Sequence, residues 1–254
     1  MISVILPTYN SEKTLKRSVD SVINQKGSFK IELIIINDFS TDNTKKYLES
    51  LSNSGKVSFI KINNDKNLGV GFCRRLGIMK AKEELIAFID ADDYWLDDKL
   101  ISQLQTLRNN PKCKICFSNY LFEDKNDKLY LVKKRKIITS KTNKFINEIP
   151  LSTAIIRSEI AKKFLYPTIR IRNDYIFWNN ILKSSKDIFA LNCELEKPLA
   201  IYGKKEGISS NKIKLIYHQW ILYRKYFKYS FFDSVYGIFI NVWVKVFKSK
   251  EYYK

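Results

Sequence analysis

Three carboxylates stand within four residues at Asp90-Ala91-Asp92-Asp93, directly after the apolar run at 85–89. Carboxylates this close repel one another and raise each other's proton affinity unless a cation neutralises them. Oxygen donors with few other protein ligands suit Mg²⁺ or Mn²⁺, which keep positions open for water and for a substrate's phosphates. An acidic cap for the helical pattern from 97 is the competing role, but one cap needs one aspartate. Three more polar clusters follow apolar runs in the same way: Pro7-Thr8-Tyr9-Asn10, Asn37-Asp38-Phe39-Ser40-Thr41-Asp42, and Asn67-Leu68-Gly69 leading to Arg74 and Arg75. Asp38 can accept N–H bonds from a base or O–H bonds from a ribose, or it can cap the helix from 42. Arg74 can pair with phosphate or stack on a base, or form a surface ion pair. Farther along, Asp174 opens a helical segment, with Arg170 and Arg172 close by. A carboxylate there either favours the positive end of the helix dipole or, held ionised by the neighbouring cations, accepts a proton in a transition state.

These clusters need elements to hold them. Over the first 120 residues, short aliphatic runs at 3–6, 31–36, 57–62, 85–89 and 115–118 alternate with segments of helical period at 11–25, 42–52, 70–82 and 97–109. Runs such as Leu33-Ile34-Ile35-Ile36 are apolar on both faces, as a parallel strand covered by helices must be. Right-handed crossovers then give a doubly wound α/β sheet, whose ligands bind at the carboxyl ends of the strands. The polar clusters are those ends, so one shared site is the economical reading. Beyond 120 the pattern loosens into a polar, Lys-rich stretch at 123–148, a strand at 152–156, a helix at 158–164 and a helix from about 174 to 184 with Tyr175, Trp178, Ile181 and Leu182 on one face. Residues 213–248 are aromatic and basic. Their longest uncharged run, 234–244, is far short of the roughly 20 residues that span a bilayer, whereas an interfacial amphipathic helix fits.

Composition narrows the classes. A chain of 254 residues that is 45% hydrophobic and 14% aromatic, with 8 Gly and 5 Pro, excludes disorder, collagen and flexible linkers. Four cysteines at this length are no disulfide framework and point to a reducing compartment. Cys113 and Cys116 have a metal-knuckle spacing but no second pair, and the single histidine, His218, lies far away. The start, Met-Ile-Ser-Val-Ile-Leu-Pro, has neither a basic leader nor a long apolar run, so no signal peptide is expected. The formal net charge is +19, and its excess sits after residue 110, which suggests an anionic partner approached by the later part of the chain. Lys133-Lys134-Arg135-Lys136 can bind phosphate or form a solvated loop. Gly69 and Gly71 mimic two of the three glycines of a dinucleotide fingerprint, but Arg74 replaces the third and no phosphate loop is present.

Four segments together resemble a known family. Ser-Val-Ile-Leu-Pro-Thr-Tyr-Asn at 3–10, Ile-Ile-Asn-Asp-Phe-Ser-Thr-Asp-Asn-Thr at 35–44, Asn-Leu-Gly-Val-Gly-Phe-Cys-Arg-Arg-Leu-Gly-Ile at 67–78 and Phe-Ile-Asp-Ala-Asp-Asp-Tyr-Trp at 88–95 are similar, in order and spacing, to the signatures of family 2 glycosyltransferases. A weaker likeness continues to about 230 through Asn173-Asp174-Tyr175-Ile176-Phe177-Trp178 and Gly207-Ile208-Ser209-Ser210-Asn211-Lys212. The resemblance implies a GT-A fold, a Rossmann-like doubly wound mixed sheet with a helical C-terminal extension. Residues 1–110 would form the nucleotide-sugar half, 111–212 the acceptor and catalytic-base half of the same domain, and 213–254 a helical segment able to contact an anionic membrane.

By the same resemblance, Pro7, Thr8, Tyr9 and Asn67 line the nucleotide sugar, Asp38 reads the base and Arg74 supports the base or the diphosphate. Asp90, Ala91 and Asp92 form the Asp-x-Asp motif, with Asp90 toward the ribose and Asp92 on Mn²⁺ or Mg²⁺. Asp174 matches the general base that deprotonates the acceptor hydroxyl, so the anomeric configuration inverts. The implied enzyme moves a sugar, expected from a UDP-sugar, to a bacterial surface glycan on a lipid carrier, at the cytoplasmic side of the membrane and with no nucleic acid partner. Three departures stand out: Phe39 where the family writes glycine, Asn173 where it writes glutamate, and Lys205 where many members carry a metal-ligating histidine. Lys205 can instead pair with the diphosphate. A nucleotidyltransferase would need a glycine-rich loop that 7–13 lacks, and a non-catalytic binder of nucleic acid or anionic membrane, suggested by the +19 charge, would bring phosphates against a carboxylate cluster.

Overall fold

The computed structural model describes residues 1–53, 55–194, 196–203 and 212–244, with the backbone alone at 212–214. Strands β1 (Ile2–Thr8), β2 (Ile31–Asn37), β3 (Val57–Asn63) and β4 (Leu85–Phe88) run parallel in the order β3-β2-β1-β4. Side chains alternate across the pleat, so the aliphatic runs serve two cores. Val4, Leu6, Leu33 and Ile35 pack with Leu15 and Val19 of α1 (Leu15–Ile23), Leu48 of α2 (Thr44–Ser50) and Leu100 of α4 (Lys99–Asn109). Ile5, Ile34 and Ile36 face the other way, onto Cys73 and Ile78 of α3 (Val70–Lys80), Ala161 of α5 (Ser158–Lys163) and Phe177, Trp178 and Ile181 of α6 (Asn173–Lys183). The sheet is doubly wound, as the two-faced apolar runs require.

The later chain extends the same sheet. Strand β10 (Ile155–Arg157) lies antiparallel between β4 and β6 (Ile115–Phe117), followed by β11 (Ala190–Asn192) and β9 (Ile137–Ile138), which makes an eight-stranded mixed sheet. A second sheet, in the order β5-β12-β7-β8, joins β5 (Tyr94–Trp95), β12 (Pro198–Tyr202), β7 (Asn119–Glu123) and β8 (Leu129–Val132). It occupies part of the stretch read from sequence as polar and irregular. The β7–β8 turn is tied by Asp124, whose Oδ1 accepts from the backbone of Asn126 at 2.8 Å and Lys128 at 3.0 Å. Four apolar residues between lysines carry too little periodicity to announce such a strand. Three of the four residues of the basic run are ion-paired: Lys133 with Glu196 at 3.0 Å, and Lys134 and Arg135 both with Glu148.

At the end of the described chain, α7 (Lys212–Ile221) passes into a π-helical turn at Leu222–Tyr226, and α8 (Phe231–Trp243) follows, capped by Ser230 Oγ, which accepts from Asp233 N. Much of the aromatic content here is core. Leu222, Tyr223, Phe227 and Tyr229 pack with Tyr175 and Ile176 of α6, and the hydroxyls of Tyr175 and Tyr229 both donate to Lys144 O. The four thiols are unpaired. Burial pushes Cys113 up to about 11 and Cys116 well above its ordinary value, so both remain protonated core residues.

Candidate active site

Parallel pairing sets Thr8, Asn37 and Asn63 in register at one edge, and the segment after β4 leaves from that same edge. The polar clusters read from sequence therefore converge. Asn10, with φ 48°, donates its N–H to Ser40 Oγ at 2.9 Å and accepts from Thr41 N at 2.8 Å, which interlocks the first two strand-to-helix turns. Phe39 takes φ 66° with its ring half exposed; this left-handed backbone is the one a glycine adopts freely, so the turn keeps its shape despite the bulky residue. Asp38 is buried, and its carboxylate accepts from Leu68 N at 2.9 Å, Gly69 N at 2.7 Å and Asn64 Nδ2 at 2.8 Å. Asn67 Nδ2 donates to Asp38 O at 3.3 Å. Thr8 Oγ1 is buried without a hydrogen-bond partner among the described residues, whereas Tyr9 is exposed.

The two glycines of the mimicked fingerprint have separate causes. Gly69 adopts φ 88° to turn the chain into α3. At Gly71 a Cβ would strike Pro167 O and approach Thr168 Cα to 3.0 Å, so its absence lets the 166–169 loop sit on the first turn of α3.

The carboxylates of Asp90, Asp92 and Asp93 lie within 4.8 Å of one another, the one such cluster of potential metal-binding groups among the described residues. Their surroundings differ. Asp93 is fully buried and accepts from Ser152 Oγ at 2.5 Å and Gly203 N at 3.1 Å. Asp90 pairs with Arg74, and its N–H donates to Ser152 Oγ at 3.1 Å. The peptide of Asp92 lies against Gly203, where a Cβ would collide with Asp92 O, and Arg17 Nη2 donates to that oxygen at 3.4 Å. Clustered, half-buried hard oxygen donors fit Mg²⁺ or Mn²⁺; Asp92 and Asp90 could hold such an ion, whereas Asp93 is fully buried and its carboxylate accepts from Ser152 and Gly203.

Arg74 joins the two halves of the site. Besides Asp90, it donates to Asn173 Oδ1 at 2.7 Å and to Tyr166 OH at 3.3 Å. Burial opposes its charge, but the carboxylates of Asp90 and Asp174 raise its pKa above the ordinary arginine value. Asn173 thus supplies an acceptor that a buried arginine needs, and the family's usual glutamate is replaced by a neutral group beside Asp174. A cavity of about 340 Å³ is lined by Arg74, Asp90, Asn147, Arg170, Arg172, Asn173, Asp174 and Tyr202 among others. Asn147 Nδ2 donates to Asp174 Oδ2 at 2.7 Å, and Arg172, immediately before α6, holds φ 60°. Arg74, Asp90 and Asp174 therefore meet in one chamber. Pro7, Thr8, Tyr9, Asp38 and Asn67 share its sheet edge but do not line it, and Ala91 is buried in the core that contains Leu15 and Trp95. Lys205 lies outside the described residues. Ser152, Asn147, Tyr166 and Tyr202 carried no sequence signal, being isolated polar residues brought in by tertiary contacts.

Residues 3–179 match the model of the family described as "Glycosyl transferase family 2". The chain is 30% identical over 226 residues to the Escherichia coli UDP-Glc:alpha-D-GlcNAc-diphosphoundecaprenol beta-1,3-glucosyltransferase WfgD, covering 87% of this chain and 84% of that protein. It is 28% identical over 228 residues to the putative teichuronic acid biosynthesis glycosyltransferase TuaG of Bacillus subtilis, covering 89% and 88%. Among solved structures, S. aureus TarS 1–349 in complex with UDP superposes with a TM-score of 0.69 at 19% identity, over 98% of this chain and 73% of that one; this likeness concerns the fold.

Proposed function

Because the chain belongs to glycosyl transferase family 2, we propose that it is an inverting enzyme of bacterial surface-glycan assembly. It would take a sugar from a UDP-sugar and attach it to a hydroxyl of a lipid-linked acceptor. The observation that carries this reading is the single chamber in which Asp90, next to Asp92, and Asp174 stand on different structural elements, with Arg74 bound both to Asp90 and to Asn173, the neighbour of Asp174. WfgD, by its name, uses UDP-Glc and an alpha-D-GlcNAc-diphosphoundecaprenol acceptor, which supports the choice of donor and carrier.

In the proposed reaction, the acceptor hydroxyl loses its proton to Asp174 as its oxygen bonds to the anomeric carbon. The bond from that carbon to the diphosphate oxygen breaks on the opposite face, and the nucleoside diphosphate leaves. Asn147 holds Oδ2 of Asp174, which orients the carboxylate. Arg74 keeps Asp90 placed, and Thr8, Tyr9, Asp38 and Asn67 form the edge on which the nucleoside would rest. Asp92 and Asp90 would hold a divalent ion, which when bound would supply positive charge to the leaving diphosphate. The exposed aromatic face of α8 would bring the enzyme to the cytoplasmic leaflet where a lipid carrier resides.

Thermal shift with UDP, with and without Mn²⁺, tests the reading. The wild type should be stabilised by UDP with Mn²⁺, Asp92→Ala should lose that shift, and Asp174→Asn should keep it while transfer falls by roughly 10²-fold or more. Absence of any nucleotide-dependent shift in the wild type would overturn it.

A further inference from the structure

A second cavity, of about 330 Å³, lies beside the catalytic chamber, and Arg170 and Arg172 line both. Its other walls are Ile169 and Ile171 of the loop before α6, and His218, Ile221, Leu222 and Tyr226 of α7 and the π-turn. The volume falls within the range of small-ligand pockets, at roughly 300 Å³ and above. Its lining is aliphatic and aromatic apart from the two arginines and His218. No carboxylate lies within ion-pair distance of Arg170 or Arg172 among the described residues. His218 Nε2 is buried with no hydrogen-bond partner there. Helix α7, which supplies one wall of the cavity, also packs on α8: Trp220 contacts Phe231 edge-on at 5.6 Å, and Phe231, Phe232 and Phe239 are exposed.

We propose that this cavity is the subsite for the lipid end of the acceptor, taking the first isoprenoid units of a prenyl diphosphate, with the diphosphate held by Arg170 and Arg172. The inference rests on the glycosyltransferase reading and deepens it. The arginine pair stands between a chamber with a proton acceptor, Asp174, and an apolar hole. A sugar joined through diphosphate to a hydrocarbon has the same sequence of chemistries: hydroxyls toward Asp174, two phosphates at the guanidinium groups and an apolar chain beyond. Unpaired guanidinium groups suit phosphate oxygens by charge and by planar donor geometry. The left-handed backbone of Arg172 is the kind of strained conformation found where a ligand must be clamped.

Calorimetric titration of the full chain with farnesyl diphosphate, inorganic diphosphate and farnesol tests the assignment. Farnesyl diphosphate should bind at least about ten-fold more tightly than inorganic diphosphate, because the chain buries apolar surface, and farnesol alone should bind more weakly. Ile221→Trp, which fills the cavity, should abolish that gain while the UDP–Mn²⁺ thermal shift persists; Ile171→Trp, on the loop wall, does the same from the opposite side if the first variant does not fold. Equal affinity for the two diphosphates overturns the proposal. So does a gain that survives a folded cavity-filling variant, since the chain then adsorbs elsewhere, and so does displacement of farnesyl diphosphate by saturating UDP–Mn²⁺, which would put it in the donor site. If the wild type binds farnesyl diphosphate as expected but shows no UDP–Mn²⁺ shift, the subsite stands and the donor reading fails.

Discussion

Arg74 is buried and has three polar partners, Asp90, Asn173 and Tyr166, on three separate segments. A lysine has one point of charge and cannot reproduce the fork. Arg74→Met removes the guanidinium from the carboxylate of Asp90 and from Asn173 Oδ1, which keeps only the Tyr166 hydroxyl at 3.2 Å, and breaking such a pair costs roughly 3 kcal/mol or more. Urea denaturation should show that loss, together with weaker UDP–Mn²⁺ binding; a variant as stable as wild type would mean that the network contributes little. Phe39 makes a different point. Its left-handed φ is unfavourable for a side chain with a Cβ by roughly 1 kcal/mol, yet the turn is held by the contacts of its neighbours, Asn37 Oδ1 accepting from Ser40 N at 3.1 Å and Asn10 bonding Ser40 and Thr41.

Helix α4 carries a titratable group that the site does not use. Lys99 is fully buried, its Nζ 3.9 Å above the Trp95 ring and 2.7 Å from Gln103 Oε1, and Gln103 in turn donates to Thr153 O at 2.7 Å. The helix is thereby tied to the turn that places Ser152 under Asp90 and Asp93. Burial lowers the Lys99 pKa to about 7. Between that value and the ordinary lysine range the unfolded chain binds a proton that the folded chain does not. Stability therefore rises with pH from about 7 until the unfolded lysine also deprotonates, and the penalty is complete below 7. Lys99→Met should flatten that rise, seen as a stability difference from wild type that shrinks as pH increases; parallel profiles would refute it. In α3, Gly71→Ala should push back the 166–169 loop and destabilise by roughly 1–3 kcal/mol, with a larger loss in acceptor affinity than in UDP affinity.

The whole molecule presents two unlike surfaces. At the strand edge lie the acidic cluster and the shared arginines, and on α8 an uninterrupted apolar face: Phe231, Phe232, Val235, Tyr236, Phe239, Val242 and Trp243 are all exposed, with Phe232 at 82%. Successive members at three- and four-residue spacing form one stripe. No helix among the described residues is long and apolar enough to cross a membrane; an apolar stripe along one helix face is the feature by which interfacial helices lie on a bilayer. Phe232→Ser with Phe239→Ser should reduce co-sedimentation with phosphatidylcholine–phosphatidylglycerol vesicles by roughly ten-fold or more, and leave the UDP–Mn²⁺ shift intact. Unchanged sedimentation would assign membrane contact to another face.

The first half of this protein was legible because its information is local. Two-faced apolar runs specify buried parallel strands, and parallel strands bring their polar ends to one edge, so Thr8, Asp38, Asn67 and the Asp90–Asp92 cluster could be grouped without coordinates. Partners were not legible. That Asp38 is held by the N–H groups of Leu68 and Gly69, that Asp93 is locked by Ser152 and Gly203, and that Asn147 orients Asp174 each depends on residues 27 to 110 positions apart. The aromatic C-terminal segment shows the same limit from the other side: its composition marks it as apolar, but only packing decides that Tyr223, Phe227 and Tyr229 turn inward onto α6 while Phe231, Phe232 and Phe239 face out. Periodicity along a chain fixes which residues share a face; which face meets which is decided by long-range contacts that no local pattern encodes.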